Sequence, residues 1–474
     1  MFDKEFSELV GAGNPSGEVI KVDRYLVTVK GMSGCSVNAT VLFQNGDWGI
    51  VRELHEGTAV VLNCENEQTP VGSVVVLKDE VFSIPTGEAL VGRVVDPFGK
   101  PVDGKGDITL TNTRPIFDQA PGISERVALK DQLYSGVSIV DSLFPVVLGQ
   151  RIAILGDTKS GKTSFLLQVG ANQVKTDTVM VYVLIGKRRA EVDHLVATLE
   201  QTGAMAQSIV VVADVFRSLA QSYIAPYAGC AMAEYMWKEK QKDVVIVYDD
   251  LSAHAKVYRE ISLLAEANPG RESYPGDMFY SHSSLLERAG KLKTTGKTLT
   301  AFPVVVTPGD DITANLPTSI MSITDGQLIF DLTTFRQGNR PALNTGLSVS
   351  RVGGRAQTKR QQKLTSDIFK ILTSYRQALE FSHFGSDLSA DSKRLLEQGS
   401  QLLSAFRQLP NELHTIVEQE LILRIVVESA GQYKVDIAQL KKEAEESAKA
   451  VNSDEDFEKS IKELLEVVKT GVVI

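Results

Sequence analysis

The stretch GDTKSGKT at residues 156–163 constrains this chain more than any other. It has the spacing Gly, four residues, Gly-Lys-Thr, and it stands between an apolar run, RIAIL, and a stretch of helical character, SFLLQVGANQ. Such a loop works only between a buried strand and a helix N-terminus. Its glycines let backbone N–H groups turn inward around phosphate oxygens, and the helix end adds partial positive charge. An α/β core is therefore expected, with ATP and Mg²⁺ as ligands. Lys162 is placed to neutralise the β and γ phosphates and the Thr163 hydroxyl to ligate Mg²⁺, while Gly156, Asp157, Thr158, Lys159, Ser160, Gly161 and Ser164 complete the cradle.

Around this loop the pattern of residues changes twice. EVIKVDRYLVTVKG alternates apolar and polar residues, and Asn45-Gly46 gives a hairpin signal before WGIVREL and TAVVLN. Residues 1–75 therefore predict a small β-barrel, in which closure removes exposed strand edges. Residues 76–355 carry buried-type runs, VMVYVLI, SIVVVA, VVIVY and AFPVVV, separated by helical stretches, the pattern of parallel strands covered on both faces. After Arg355, Leu364, Ile368, Ile371, Leu372, Tyr375 and Leu379 fall at helical spacing, so 356–474 predict a helical bundle with a strongly charged, solvated tail. A length of 474 residues accommodates three domains.

Composition excludes several classes. A net charge of -9 offers no general attraction to nucleic acid or anionic lipid. The three cysteines, Cys35, Cys64 and Cys230, are far apart, and the six histidines show no ligand spacing, so neither a disulfide framework nor a zinc site is expected. The opening MFDKEFSELVGAGNPSG has no apolar core of a signal peptide, and no window offers about 18 uninterrupted apolar residues, so no direct membrane insertion is expected.

A second chemical element closes VVIVYDD, where Asp249 ends an apolar strand and is placed to hold the magnesium shell opposite a phosphate loop. Beyond these local signals, residues 248–264 (YDDLSAHAKVYREISLL), 269–292 (PGRESYPGDMFYSHSSLLERAGKL), 319–327 (SIMSITDGQ), 340–354 (RPALNTGLSVSRVGG) and 384–396 (FGSDLSADSKRLL) resemble the alpha subunits of F-type ATP synthases. The resemblance covers nearly the whole sequence. It implies a β-barrel crown, a RecA-like P-loop domain and a C-terminal helical domain, in agreement with the division above.

The resemblance also implies a function. It places the chain in an alternating alpha3-beta3 ring around a gamma-type central stalk, peripheral to the membrane on the cytoplasmic face of a bacterial plasma membrane, with a delta-type peripheral stalk attached. Arg351 matches the family's arginine finger, which reaches the γ-phosphate bound by the adjacent beta subunit; a guanidinium given in trans is typically worth about 10³–10⁵ in rate. Ser322 matches a residue facing that catalytic interface. Phe335 and Arg340 resemble residues lining the alpha subunit's own nucleotide pocket, and Gln408 resembles one of two glutamines approaching the adenine.

The chain departs from that pattern in places. Lys187 follows the strand VMVYVLIG where a beta subunit carries glutamate and alpha subunits commonly carry glutamine, and an ammonium is no base for a hydrolytic water. Glu191 is the nearest acidic substitute, one turn further on. Thr158 and Lys159 stand where alpha subunits usually carry Arg-Gln, and Pro410 stands at the second adenine glutamine. Both ends are shorter than usual in the family, which bears on the delta-type contact. The sequence thus reads as a noncatalytic, nucleotide-binding ring subunit of a proton-translocating ATP synthase. The alternatives are a ring subunit of a related ATPase not coupled to protons, or a self-sufficient homohexameric ATPase.

Overall fold

The computed structural model describes residues 2–65, 68–214, 218–382 and 389–472. Residues 383–388, which include the start of the FGSDLSADSKRLL stretch, lie outside the described residues. The protein divides into two compact units, each taken in turn: Met1–Ala128 with Thr176–Val306 and Ile312–Thr324, and Leu129–Lys175 with Thr307–Asp311 and Asp325–Ile474.

The first unit opens with a ten-residue helix, Phe2–Gly11, where the sequence reading placed none. Six strands follow: β1 (Ser16–Asp23), β2 (Leu26–Gly31), β3 (Thr40–Phe43), β4 (Trp48–His55), β5 (Thr58–Asn63) and β6 (Val74–Asp79). They close a barrel in the order β1-β2-β5-β4-β3-β6, with β6 pairing β1 through Glu18 and Val74. The expected Asn45-Gly46 hairpin joins β3 to β4, which pair Leu42 with Trp48. Alternate residues of each strand point inward, so Val19, Val27, Val29, Val41, Phe43 and Val61 form a dry interior. Closure pairs each of these six strands on both sides.

Beyond the barrel this unit carries a run of parallel strands. Strands Val94–Val95, Ser208–Asp214, Val179–Lys187, Val244–Asp249 and Thr298–Val306 pair in that order, every neighbour parallel. Val244–Asp249 is buried at all six positions, as continuous β-branched runs demand when both faces are covered. Helix Leu219–Glu234 lies buried beside it, and Glu234 near its end receives a two-pronged ion pair from Arg288, Nε to Oε1 at 3.1 Å and Nη2 to Oε2 at 2.8 Å. A buried carboxylate is tolerable only with such a partner.

The second unit has its own strand pair, Ala153–Gly156 parallel to Gly326–Phe330, with Val349–Ser350 antiparallel on the outer side. Five helices follow: Lys359–Ser382, Ala390–Phe406, Ile416–Ser429, Ile437–Ala448 and Asp454–Val468. Leu364, Ile368 and Leu372 are buried as their spacing predicted, whereas Leu379 at the end of the series is 40% exposed. The charged tail forms the last two helices, which still bury Leu440, Ala444, Phe457, Ile461 and Leu464 on one side. A short pairing of Tyr433–Val435 with Lys469–Val472 adds two strands that the helical reading did not include. Asp141 ties the two parts of this unit together, accepting from Ser135 N, Gly136 N and the Gln419 amide at 2.8, 2.9 and 3.0 Å. Among the described residues no helix is long and apolar enough to cross a membrane.

One feature of the first unit makes its stability depend on pH. His254 Nδ1 and His282 Nε2 lie 3.0 Å apart in the core, and the other His254 nitrogen meets the Tyr223 carbonyl at 3.1 Å. Burial pushes His282 down to about 4, and burial together with the neighbouring imidazole pushes His254 well below the usual range. Their folded pKa values lie below the unfolded value of about 6.5, so the unfolded protein binds more protons between pH ~4 and 6.5. Stability falls as pH falls through that window. Urea unfolding followed from pH 7 to pH 5 should show this loss, and His282→Gln should flatten its slope. An unchanged slope in the variant would mean that the pair does not titrate with unfolding.

Candidate functional site: a phosphate loop and a braced arginine

The phosphate loop begins where the buried strand Ala153–Gly156 ends. Gly156 has φ 153° and packs so tightly that a Cβ would stand 2.4 Å from the Phe330 carbonyl oxygen and 2.8 Å from Ser160 Oγ. Only glycine fits a strand end that must turn and touch its neighbour at once. Lys159 and Gly161 both take positive φ, 61° and 101°, which rounds the loop before helix Lys162–Gln173 starts. Lys162 Nζ donates to the carbonyls of Gly156 and Asp157 at 2.8 and 2.7 Å, and its side chain is buried against the loop. Thr158, Lys159, Thr163 and Ser164 are exposed. The loop is pinned on its far side, where Gly309 N donates to Asp157 Oδ2 at 2.8 Å and Thr307 N to the Gly156 carbonyl at 3.1 Å. Burial raises the Asp157 pKa, but the N–H groups of Thr158 and Gly309 outweigh it and leave the carboxyl below its usual range. The strand-loop-helix arrangement, with a buried lysine and exposed hydroxyls, is that of an anion cradle.

Arg351 sits in the same unit, exposed, directly after strand Val349–Ser350. Its backbone is held from both sides. Its N–H donates to the Asp325 carbonyl at 3.0 Å, and Ser350 Oγ donates to the Pro145 carbonyl at 2.7 Å. Asp325 in turn grips Arg151 in a forked pair, Nε to Oδ2 at 3.0 Å and Nη2 to Oδ1 at 2.9 Å, and also accepts the Arg151 N–H at 3.0 Å. Asp325 went unnoticed in the sequence; the only signal was an acidic residue placed directly before a strand, in TDGQ.

The remaining predicted residues fall into place unevenly. Arg340 stacks its guanidinium 3.4 Å from the Phe335 ring centroid and donates to the carbonyls of Phe335 and Asn339, both at 2.7 Å, so the two predicted pocket residues form one cation–π unit. Gln408 is buried and its amide is spent on backbone: Oε1 accepts from Ser138 N at 2.7 Å, and Nε2 donates to the carbonyls of Gly136 and Glu412, both at 3.0 Å. Its Nε2 donors therefore serve the fold first. Ser322, in the first unit, is exposed on helix Asn315–Ile323 and donates to the Thr318 carbonyl at 2.8 Å.

The first unit also holds the strand-end acids. Strand Val179–Lys187 carries a bulge opposite Ala213 and Asp214, with Gly186 at φ 64°, and this re-aims Lys187. Its Nζ lies 2.8 Å from Asp249 Oδ1 and 3.3 Å from Asp250 Oδ2. Burial opposes its charge, but the two carboxylates outweigh burial and hold the ammonium above the usual lysine range. Asp250 spends its other oxygen capping helix Leu251–Leu264, accepting from Ala253 N at 2.6 Å. An Asp-Asp doublet before a helical stretch could have announced that cap. Glu191 closes its own helix start, accepting from Arg188 N at 3.0 Å. The Asp249 carboxylate, the strand-end acid expected to hold Mg²⁺, is thus ion-paired to an ammonium. Among the described residues no cluster of three or more His, Cys, Asp or Glu side chains could hold a metal.

Comparison with known proteins agrees with this geometry. The nucleotide-binding domain of the ATP synthase alpha/beta family matches residues 136–350, and the family's C-terminal domain matches residues 357–470. The ATP synthase subunit alpha of Clostridium botulinum strain Hall is 41% identical over 449 residues, covering 94% of this protein and 86% of that one. The subunit alpha of Clostridium kluyveri is 42% identical over 425 residues, covering 89% and 84% respectively.

The crowding at Gly156 yields a direct test. Gly156→Ala should destabilise the protein by about 1–3 kcal/mol, the usual cost of forcing a carbon into a packed site, and should weaken nucleotide binding. Thermal unfolding with and without ATP measures both; an unaltered midpoint would show that the strand end can relax.

Proposed function

We propose, from the premise that this chain belongs to the ATP synthase alpha/beta family and is an alpha subunit within it, that it is a noncatalytic ring member which binds nucleotide at its own loop and lends Arg351 to a neighbour. The observation that carries this reading is the ion pairing of Lys187 with Asp249 and Asp250. At the strand end where a hydrolytic ATPase needs a carboxylate to orient water, this protein presents an ammonium held by two acids. Glu191 does not replace that base, since its carboxylate closes a helix terminus.

Arg351 has what a donated arginine needs. It is exposed, and the Asp325 carbonyl and the Ser350–Pro145 contact fix the backbone on which it stands. A positioned guanidinium spends less entropy reaching a transferring phosphoryl group than one on a loose loop. Ser322 serves the same interface in this reading. Gly156 to Ser164 hold the phosphates, and Phe335 with Arg340 borders the base. Three domains, 1–75, 76–355 and 356–474, correspond to crown, nucleotide-binding and helical parts. The partners are a beta-type catalytic subunit, a gamma-type central stalk and a delta-type peripheral stalk, in a bacterial enzyme peripheral to the plasma membrane that couples ATP turnover to proton movement.

ATPase assays on the purified protein, alone and mixed with a beta-type partner, test the assignment. The protein alone should be inactive and the mixture active; appreciable turnover without the partner would refute the noncatalytic role. In the mixed ring, Arg351→Ala should leave assembly and nucleotide binding intact and slow turnover by about 10³-fold or more, in line with other arginine fingers. Unchanged turnover would remove Arg351 from the mechanism.

A further inference from the structure

A cavity of about 250 Å³ lies wholly within the second unit. Three arginines from separate parts of the chain line it: Arg340 directly before Pro341, Arg376 on helix Lys359–Ser382, and Arg407 just past helix Ala390–Phe406. Among the described residues no aspartate or glutamate lines it, and none of the three guanidiniums enters an ion pair. That is unusual in a chain of net charge -9, where carboxylates outnumber cations. The partners of these arginines are neutral. Arg340 Nη1 donates to the Phe335 and Asn339 carbonyls, both at 2.7 Å, and Arg376 Nη2 donates to Thr345 Oγ1. Arg407 is exposed, and its N–H donates to the Ser404 carbonyl at 3.2 Å. A guanidinium carries five N–H donors, so bonds of this number leave much of each fork for a ligand.

Three like charges facing one space repel one another, and an anion between them removes that cost. The lining also includes Leu372 and Phe406, both buried, which give the cavity an apolar side. Its volume falls below the range of about 300–1,000 Å³ usual for drug-sized ligands, so its occupant is small. Phe335, Gln408 and residues 156–164 do not line it, and Arg340 is the one residue it shares with the predicted nucleotide contacts.

We propose that this cavity binds the phosphate group of a small anion, either inorganic phosphate or a small phosphate monoester, at a site separate from the phosphate loop. Guanidinium forks match phosphate oxygens two at a time, and a dianion offsets the repulsion among three cations better than a single carboxylate does. The site stands whether or not the loop holds nucleotide.

Equilibrium dialysis of labelled inorganic phosphate against the full-length protein, with saturating ATP present to occupy the loop, tests this. The wild-type protein should bind phosphate with a Kd of about 1 mM or tighter. Arg376→Gln and Arg407→Gln should each weaken that binding by about tenfold or more, the size of a lost charge-assisted contact, while ATP affinity stays within about threefold. Arg376→Lys keeps the charge without the fork and should fall between wild type and Arg376→Gln. Phenyl phosphate as competitor separates the two sources: displacement at lower concentration than unlabelled phosphate assigns a monoester whose body uses the apolar side, and displacement no better than phosphate assigns the inorganic ion. A wild-type protein that binds no phosphate overturns the proposal whatever the variants do. So does phosphate binding unchanged in both glutamine variants, which would put the ion elsewhere, and so does ATP affinity that falls in step with phosphate affinity, which would make the cavity part of the nucleotide site.

Discussion

The forked pair between Arg151 and Asp325 organises the second unit. Arg151 stands directly before the strand that feeds the phosphate loop, and Asp325 directly before the strand that runs parallel to it. Two parallel N–H···O bonds to one carboxylate fix angle as well as distance. Backbone bonds lock the corner further, since Asp325 N donates to the Arg151 carbonyl at 2.7 Å and Arg351 N to the Asp325 carbonyl at 3.0 Å. One acidic residue thus sets the register of the loop's strand and the position of the arginine. Loop and arginine, 195 positions apart in sequence, share one rigid support.

Charge decides the chemistry in the first unit. A parallel strand normally delivers a side chain at its carboxyl end, and here the bulge at Gly186 chooses which residue that is. Because the residue is lysine and its neighbours are two aspartates, its amine is held as an ammonium. An ammonium is a poor base.

Much of this was legible beforehand. The alternation in EVIKVDRYLVTVKG predicted a barrel, because the period of two is imposed by which face of a strand is dry. The run VVIVY predicted a doubly covered parallel strand, and all of its residues are buried. The glycines of GDTKSGKT predicted the loop, since few other residues take its backbone angles. The last strands, Tyr433–Val435 and Lys469–Val472, were not legible: three or four residues leave no periodicity, and their pairing depends on helices that bring the ends together. Gln408 illustrates a different limit. Motif matching names the residue, but the structure shows its amide already committed to Ser138, Gly136 and Glu412.

The sequence by itself determined whatever depends on local rules: the barrel, the parallel core, the phosphate loop, the helical end and the fixed charge of Lys187. Each follows from periodicity, from backbone permissiveness or from the fixed charge of a side chain. Tertiary structure alone decided which charges meet. Lys187 finds Asp249 and Asp250 only because parallel pairing sets Leu184 beside Asp249, and Arg351 is braced only because Asp325 reaches back to Arg151. The Lys187–Asp250 and Arg151–Asp325 ion pairs span 63 and 174 residues of sequence, and the Coulomb interaction that makes them matter depends on distance in space and on burial, neither of which is written in a linear order of residues.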